Sequence, residues 1–411
     1  MLGYSGFFII LGAVVIVGKR FFPSTQTLAI LVMSGLLALS SRLLASLGWP
    51  EFEGLFGHTL NHLPFPWLFM NLVLPVLLFA GTLQLDGRLM HALRIPILIL
   101  ALIGTLVASA AMAVWAHGTL GGIRGGVSWS QALVLGVVLA PTDPIAVLAL
   151  LKRHNAPSSL SMILAGESLW NDAVGIVLFD LLATSSVHST WSVAVLSQMP
   201  LLLLRQVGGA VIAGLLTGFV LAKAHVRWGS SGFLRVFEVV VVLGLNAYVD
   251  RLHASGPLAV IVSALFLGRG ELAPSTFWHE VDERLNQILF AWMGLLLALY
   301  PHHSAFTPAL ILLLGGWFFR LVVAGLPVFI ARKHYGFPKG SAWIVSWGGL
   351  RGALALALIM SMPHASARRI DWVVLVVYMG LLVQGFTFPK LLSWMHERAP
   401  VNEKRIHSIS S

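Results

Sequence analysis

Thirteen stretches of the chain are almost unbroken runs of apolar residues, at 3–18, 27–47, 67–85, 95–116, 130–151, 159–183, 200–222, 233–249, 256–268, 285–300, 307–330, 341–361 and 372–394. Most approach the roughly 20 residues a helix needs to cross a hydrocarbon layer about 30 Å thick. The shortest, 256–268, is bracketed by Gly256-Pro257 and Gly268-Arg269-Gly270. None alternates polar and apolar residues as a barrel strand does, and unpaired backbone groups are too costly in lipid. The pattern predicts an all-α integral membrane protein of about thirteen transmembrane helices joined by short loops.

Composition agrees with this pattern. Of 411 residues, 57% are hydrophobic and 10% charged, with a mean hydropathy of +0.87. Soluble domains carry about 25% charged residues, so a soluble enzyme and a disordered chain are excluded. The net charge of +10 does not point to nucleic acid, because the basic residues are scattered singly between apolar runs and form no patch. With no cysteine, disulfides and thiolate metal sites are excluded, and no cofactor is expected.

Charge also orients the chain. Cytoplasmic loops are rich in Lys and Arg. With the N-terminus outside and the C-terminus in the cytoplasm, 18 of the 26 Lys and Arg fall in inward loops and the tail. Only Arg124, Arg251, Arg368 and Arg369 face outward, and Arg42, Arg205, Arg320 and Arg351 lie within helices. Lys19-Arg20 follow the first apolar run, so that run reads as an uncleaved first helix. The expected location is the plasma membrane.

Charges at mid-membrane cost about 2.5–3.5 kcal/mol each on the insertion scale and mark function. Segment five contains Ala140-Pro141-Thr142-Asp143-Pro144 at its centre. Two prolines three apart remove two backbone donors, so the helix should unwind with Thr142 and Asp143 in the break. Asp143 then lies where it offsets the positive end of the second half-helix. Segment six carries Glu167, Ser168, Asn171 and Asp172 near its middle. Ser168 and Asp172 share one face, as do Glu167 and Asn171. Two carboxylates this close in a dry setting need a cation for one, which leaves the other to titrate. A polar helix–helix contact explains an isolated Asn or Ser, but not the pair of acids. Segment eleven has Arg320 at its middle, and segment twelve has Gly348-Gly349-Leu350-Arg351-Gly352, which predicts a second interrupted helix. The interruptions occupy equivalent places in two six-helix halves of opposite orientation. This is the signature of a transporter built from inverted repeats. Asp143, Glu167 and Asp172 against Arg320 and Arg351 leave one negative charge, enough for a proton or a monovalent cation by turns.

At these residues the chain resembles the cation:proton antiporter family of NhaP and NHE type. Ala140–Val147 (APTDPIAV), Gly166–Phe179 (GESLWNDAVGIVLF), Leu285–Leu295 (LNQILFAWMGL) and Gly348–Leu354 (GGLRGAL) carry the likeness, the Asn171-Asp172 pair most strongly. The resemblance implies Na+ or Li+ exchanged for H+ by a homodimer with an elevator-like movement. Its dimerisation domain would comprise helices 1–3 (residues 1–90) and 8–10 (232–303). Its core would comprise helices 4–6 (91–185) and 11–13 (306–395), with a linking helix at 199–225 and a short cytoplasmic tail at 396–411. It also implies that Asp172 binds ion and proton, that Asn171 orients it, and that Ser168 and the Thr142 carbonyl add oxygens. Glu167 would pair with Arg320, and Asp143 and Arg351 would offset the half-helix dipoles. Asn-Asp in this family goes with electroneutral one-for-one exchange. Many relatives have an acidic residue after Leu-Leu-Phe of helix 3, where this chain has Ala80. The absence of a long regulatory tail points to a bacterial member.

Three other readings compete. A potassium:proton antiporter carries the same motifs. An intramembrane hydrolase is raised by Gly229-Ser230-Ser231-Gly232, a short G-x-S-G; no HExxH occurs. A channel would conduct down a gradient. His58, His62, His188, His302, His303 and His364 read as solvated loop residues. Glu238 and Asn246, eight apart in helix 8, read as interface groups, and Asp180 as reaching water at the end of helix 6.

Overall fold

The computed structural model describes residues 4–21, 26–49, 60, 62–122, 126–186, 193–229, 231–268, 276–299, 303–362 and 366–398. His58, Arg124, His188, Ser230, Arg269, His302, His364 and the tail from residue 399 lie outside them. Each apolar segment coincides with a helix or a pair of half-helices, and no strand occurs among the described residues. In chain order these are α1 (Tyr4–Phe21), α2 (Gln26–Ser46), α3 (Phe65–Leu83), α4 (Arg94–Leu120), α5a (Trp129–Leu139), α5b (Ile145–Arg153) and α6 (Ser158–Ser186). There follow α7 (Val193–Trp228), α8 (Gly232–Arg251), α9 (Gly256–Gly268), α10 (Thr276–Leu295), α11 (Phe306–Tyr335), α12a (Ser341–Trp347), α12b (Ala353–Ser361) and α13 (Ala367–Arg398). Eight of them, α2, α3, α4, α6, α7, α8, α11 and α13, are long and apolar enough to cross a membrane unaided.

Two helices, α7 and α10, depart most from the hydropathy reading. α7 runs from Val193 to Trp228, beyond both ends of 200–222. α10 starts at Thr276, well before 285, because its first turns carry His279, Glu280, Asp282, Glu283 and Arg284. These residues are helical without being apolar.

The short α9 is a helix, and nearly every residue in it is buried. At 1.5 Å per residue it is about 20 Å long, shorter than the hydrocarbon layer, and it lies inside the protein rather than in lipid. Gly214 and Gly218 on α7 make room for it. A methyl group on Gly214 would sit 2.5 Å from the Ala259 carbonyl oxygen, and one on Gly218 would sit 2.9 Å from that of Ser263. Small residues four apart allow this close backbone approach between membrane helices.

Three helices contain a widened π-type turn near a proline: Phe69–Val73 before Pro75, Ile99–Gly104 after Pro96, and Leu321–Gly325 before Pro327. A proline has no N–H to give, and a widened turn absorbs the lost register. The third begins immediately after Arg320.

α2 packs on α10, α9 packs between α3 and α7, and α8 lies beside α9. On the other side α4 packs on α5a and α11, and α13 packs on α11 and α12b. Glu238 and Asn246 join elements of the first group. Glu238 accepts from His225 of α7 at 2.6 Å and from Trp278 Nε1 of α10 at 2.9 Å, and Asn246 donates to the Met70 carbonyl of α3. Ser231, the serine of the G-x-S-G stretch, caps α8 by accepting from the Leu234 N–H. That is a structural use of the hydroxyl. Asp180 is exposed.

Candidate functional site

The two interrupted helices meet at their breaks. α5a ends at Leu139 because Pro141 and Pro144 cannot continue its ladder. In an unbroken helix the Asp143 N–H would donate to the Leu139 carbonyl. Here it donates to the Leu350 carbonyl in the break of α12, at 2.7 Å. The Leu139 carbonyl instead accepts from Nε of Arg351 at 3.2 Å, so a cation from one broken helix caps the negative end of the other. At the opposite end of the break, an Asp143 carboxylate oxygen accepts from the Ile145 N–H at 3.0 Å, at the start of α5b.

The glycines of the second break make space. A side chain on Gly352 would run into the Asp143 carboxylate, and one on Gly349 into the Arg320 guanidinium. Gly316 of α11 leaves room for Arg351 in the same way. The last carbonyl of α12a, that of Trp347, accepts from Gln384 Nε2 of α13 at 2.7 Å. Sequence reasoning missed Gln384; its signal is a lone amide in the apolar run of α13, where it is fully buried.

α6 passes beside the first break and holds it with two side chains. The Ser168 hydroxyl donates to the Thr142 carbonyl at 2.5 Å. Asn171 clasps Thr142 at both ends: its Nδ2 donates to the Thr142 hydroxyl at 2.9 Å, and its Oδ1 accepts from the Thr142 N–H at 3.4 Å. Among the described residues Asn171 therefore bonds the break, and no hydrogen bond joins it to Asp172. The neighbouring Glu167 forms a two-point ion pair with Arg320 of α11, the Nη2–Oε2 contact being 2.8 Å. Both partners are buried. Arg320 also reaches the Val345 carbonyl of α12a.

Asp172 differs from these groups. It lies one turn from Ser168 on the same face of α6, is half-buried, and takes part in no hydrogen bond or ion pair among the described residues. It faces a cavity of about 650 Å³ whose wall also includes Thr142, Asp143 and Ser168. Glu167, Asn171, Arg320 and Arg351 stand behind this wall. The cavity extends to Gln84 and Asp86 after α3, to Lys152 in the last turn of α5b and Asn155 after it, and to Asp282 of α10. No cluster of three His, Asp or Glu suited to a resident metal ion occurs among the described residues. Around Asp172 the wall offers a carboxylate that no described residue bonds, beside a hydroxyl and a backbone carbonyl, which is oxygen chemistry suited to a hard, weakly held cation.

Comparison with known proteins gives one answer. The transmembrane sodium/hydrogen exchanger family matches residues 15–394. The Na(+)/H(+) antiporter NhaP of Pseudomonas aeruginosa is 29% identical over 407 residues, which cover 94% of this chain and 95% of that protein. The low-affinity Na(+)/H(+) antiporter NhaS1 of a Synechocystis strain is 30% identical over 348 residues, 78% of this chain and 63% of that one. The sodium proton antiporter MjNhaP1 of Methanocaldococcus jannaschii shares the fold, with a TM-score of 0.68 over 94% of this chain and 97% of that one at 16% identity. The chain thus belongs to the sodium/hydrogen exchanger family and is a membrane antiporter, not an enzyme.

Proposed function

We propose that the protein exchanges Na+ or Li+ for H+, one for one, by competition of the two at Asp172. The observation that carries this reading is the unpartnered Asp172 carboxylate on the cavity wall. Every other buried charge near the breaks has a fixed partner: Glu167 has Arg320, Asp143 has the start of α5b, and Arg351 has the end of α5a. One free carboxylate holds one positive charge. An Asp172 neutralised by a proton or by a cation bound with Ser168 and Thr142 oxygens gives the same total, which makes the exchange electroneutral.

The cavity ends among Asp86, Lys152 and Asn155, at helix ends and connections for which the Lys and Arg distribution supports a cytoplasmic position. In this orientation the N-terminus is outside and Asp172 faces the cytosol. Access alternates when α4–α6 and α11–α13 slide as one body against α1–α3 and α8–α10, the latter forming the interface of a homodimer. The test is proton movement in everted membrane vesicles on addition of Na+, Li+ or K+. Na+ and Li+ dissipate a preset pH gradient in the native protein, insensitively to membrane potential, and Asp172→Asn abolishes the response. A response that survives Asp172→Asn overturns the reading, and one driven by K+ alone reassigns the ion.

A further inference from the structure

The cavity wall carries a further carboxylate on a different helix from Asp172. Asp282 of α10 lies on its wall, at the end shared with Asp86 and Lys152. Its two neighbouring acids have cationic partners: Glu280 pairs with Arg284, and Glu283 with Lys19. Asp282 has no Lys or Arg partner among the described residues. Its oxygens accept only amide N–H groups, from Gln84 Nε2 at 3.3 Å and from Asn286 Nδ2 at 3.0 Å. The Gln84 carbonyl oxygen is in turn held by the His279 ring at 2.8 Å. Interaction with the helix end does not account for Asp282, because it is the seventh residue of α10 and the dipole effect fades within the first turn.

Asn286, one turn further into the cavity wall, adds an independent observation. It is 2% exposed, and its Oδ1 has no donor. Buried carbonyl oxygens in proteins are rarely left without a partner. A carboxylate lacking a cation and a buried carbonyl oxygen lacking a donor, adjacent on one face of α10, are the two ligand types that replace part of the water shell of a hard cation.

We propose that Asp282 and Asn286 form a staging site for a monovalent cation, which takes Na+ from the open end of the cavity and delivers it to Asp172. The proposal rests on the reading of Asp172 as the exchange site. Negative charge along a low-dielectric cleft raises the local concentration of a cation and its rate of capture. The staging site therefore acts on apparent affinity more than on turnover.

Two measurements test it. In proteoliposomes, Asp282→Asn raises the Na+ KM about fivefold, more than the maximal rate falls. Asp282→Glu restores the KM, and Asn286→Leu raises it in the same sense as Asp282→Asn. In detergent, purified Asp172→Asn protein retains weak binding of 22Na+ that the Asp172→Asn/Asp282→Asn protein lacks. A KM unchanged in both Asp282→Asn and Asn286→Leu, an Asp172→Asn protein that binds no 22Na+, or binding that persists in the double variant overturns the staging site. Antiport persisting in Asp172→Asn refutes the exchange site instead, so the two failures are distinguishable.

Discussion

Arg351 donates from Nε to the carbonyl of Leu139, a residue 212 positions earlier in the chain and the last of α5a. The contact places a fixed cation against the negative end of a half-helix inside the membrane. Replacing Arg351 with methionine leaves that carbonyl without its donor. A hydrogen bond to a charged group is worth about 1.5–3 kcal/mol, and thermal unfolding in detergent is expected to show a loss of that order. Arg351→Lys should recover part of it, because a point charge meets the helix end without the guanidinium geometry.

Arg320→Ala is expected to be more damaging than loss of the whole pair. It strands the buried Glu167 carboxylate, at a cost of about 3–5 kcal/mol. The double replacement Glu167→Gln/Arg320→Gln removes both charges and should unfold at a higher temperature than Arg320→Ala alone. Equal melting temperatures for Arg320→Ala and the unaltered protein would contradict the pairing.

Asn171→Ala removes both contacts to Thr142 and should cost about 1–2 kcal/mol, with reduced transport from a break no longer held in place. Ser168→Ala keeps the fold, since the Thr142 carbonyl faces the cavity wall and can meet water. It is expected to raise the Na+ KM severalfold. Parallel measurement of melting temperature and Na+ dependence separates the two effects.

Glu238 joins three helices through His225 and Trp278. Glu238→Ala leaves a buried indole N–H and a largely buried imidazole without acceptors, and about 2 kcal/mol of destabilisation is expected. Loss of folded protein on heating should precede any change in the Na+ KM, because none of the three residues lines the cavity.

Much of this arrangement was legible in the sequence, for identifiable reasons. Hydropathy located the helices of all thirteen apolar segments, because lipid demands continuous apolar runs, but not the short polar helix Gly87–Ala92. Pro141 and Pro144 disclosed the first break through a missing donor, and the Gly348–Gly352 cluster disclosed the second. Contacts between distant segments were not legible. The Asn171-Asp172 pair implied that the amide serves its neighbour, yet Asn171 reaches Thr142, 29 residues away. Gln384 passed as one amide in an apolar run because nothing local announces the Trp347 carbonyl it caps. The C-terminal end of α7 and the start of α10 departed from the hydropathy reading because helical residues there include charged ones, and hydropathy marks lipid rather than helix.

The bond from the Asp143 N–H to the Leu350 carbonyl links peptide groups at the centres of two segments that would otherwise be independent rods. Neither kink can straighten or rotate without pulling on the other. With Thr142 as a cation ligand, as proposed above, a change of load there would reach the far repeat within a single peptide spacing. The pair behaves as a common axle, and a defect engineered into one half should register in the mobility of its counterpart.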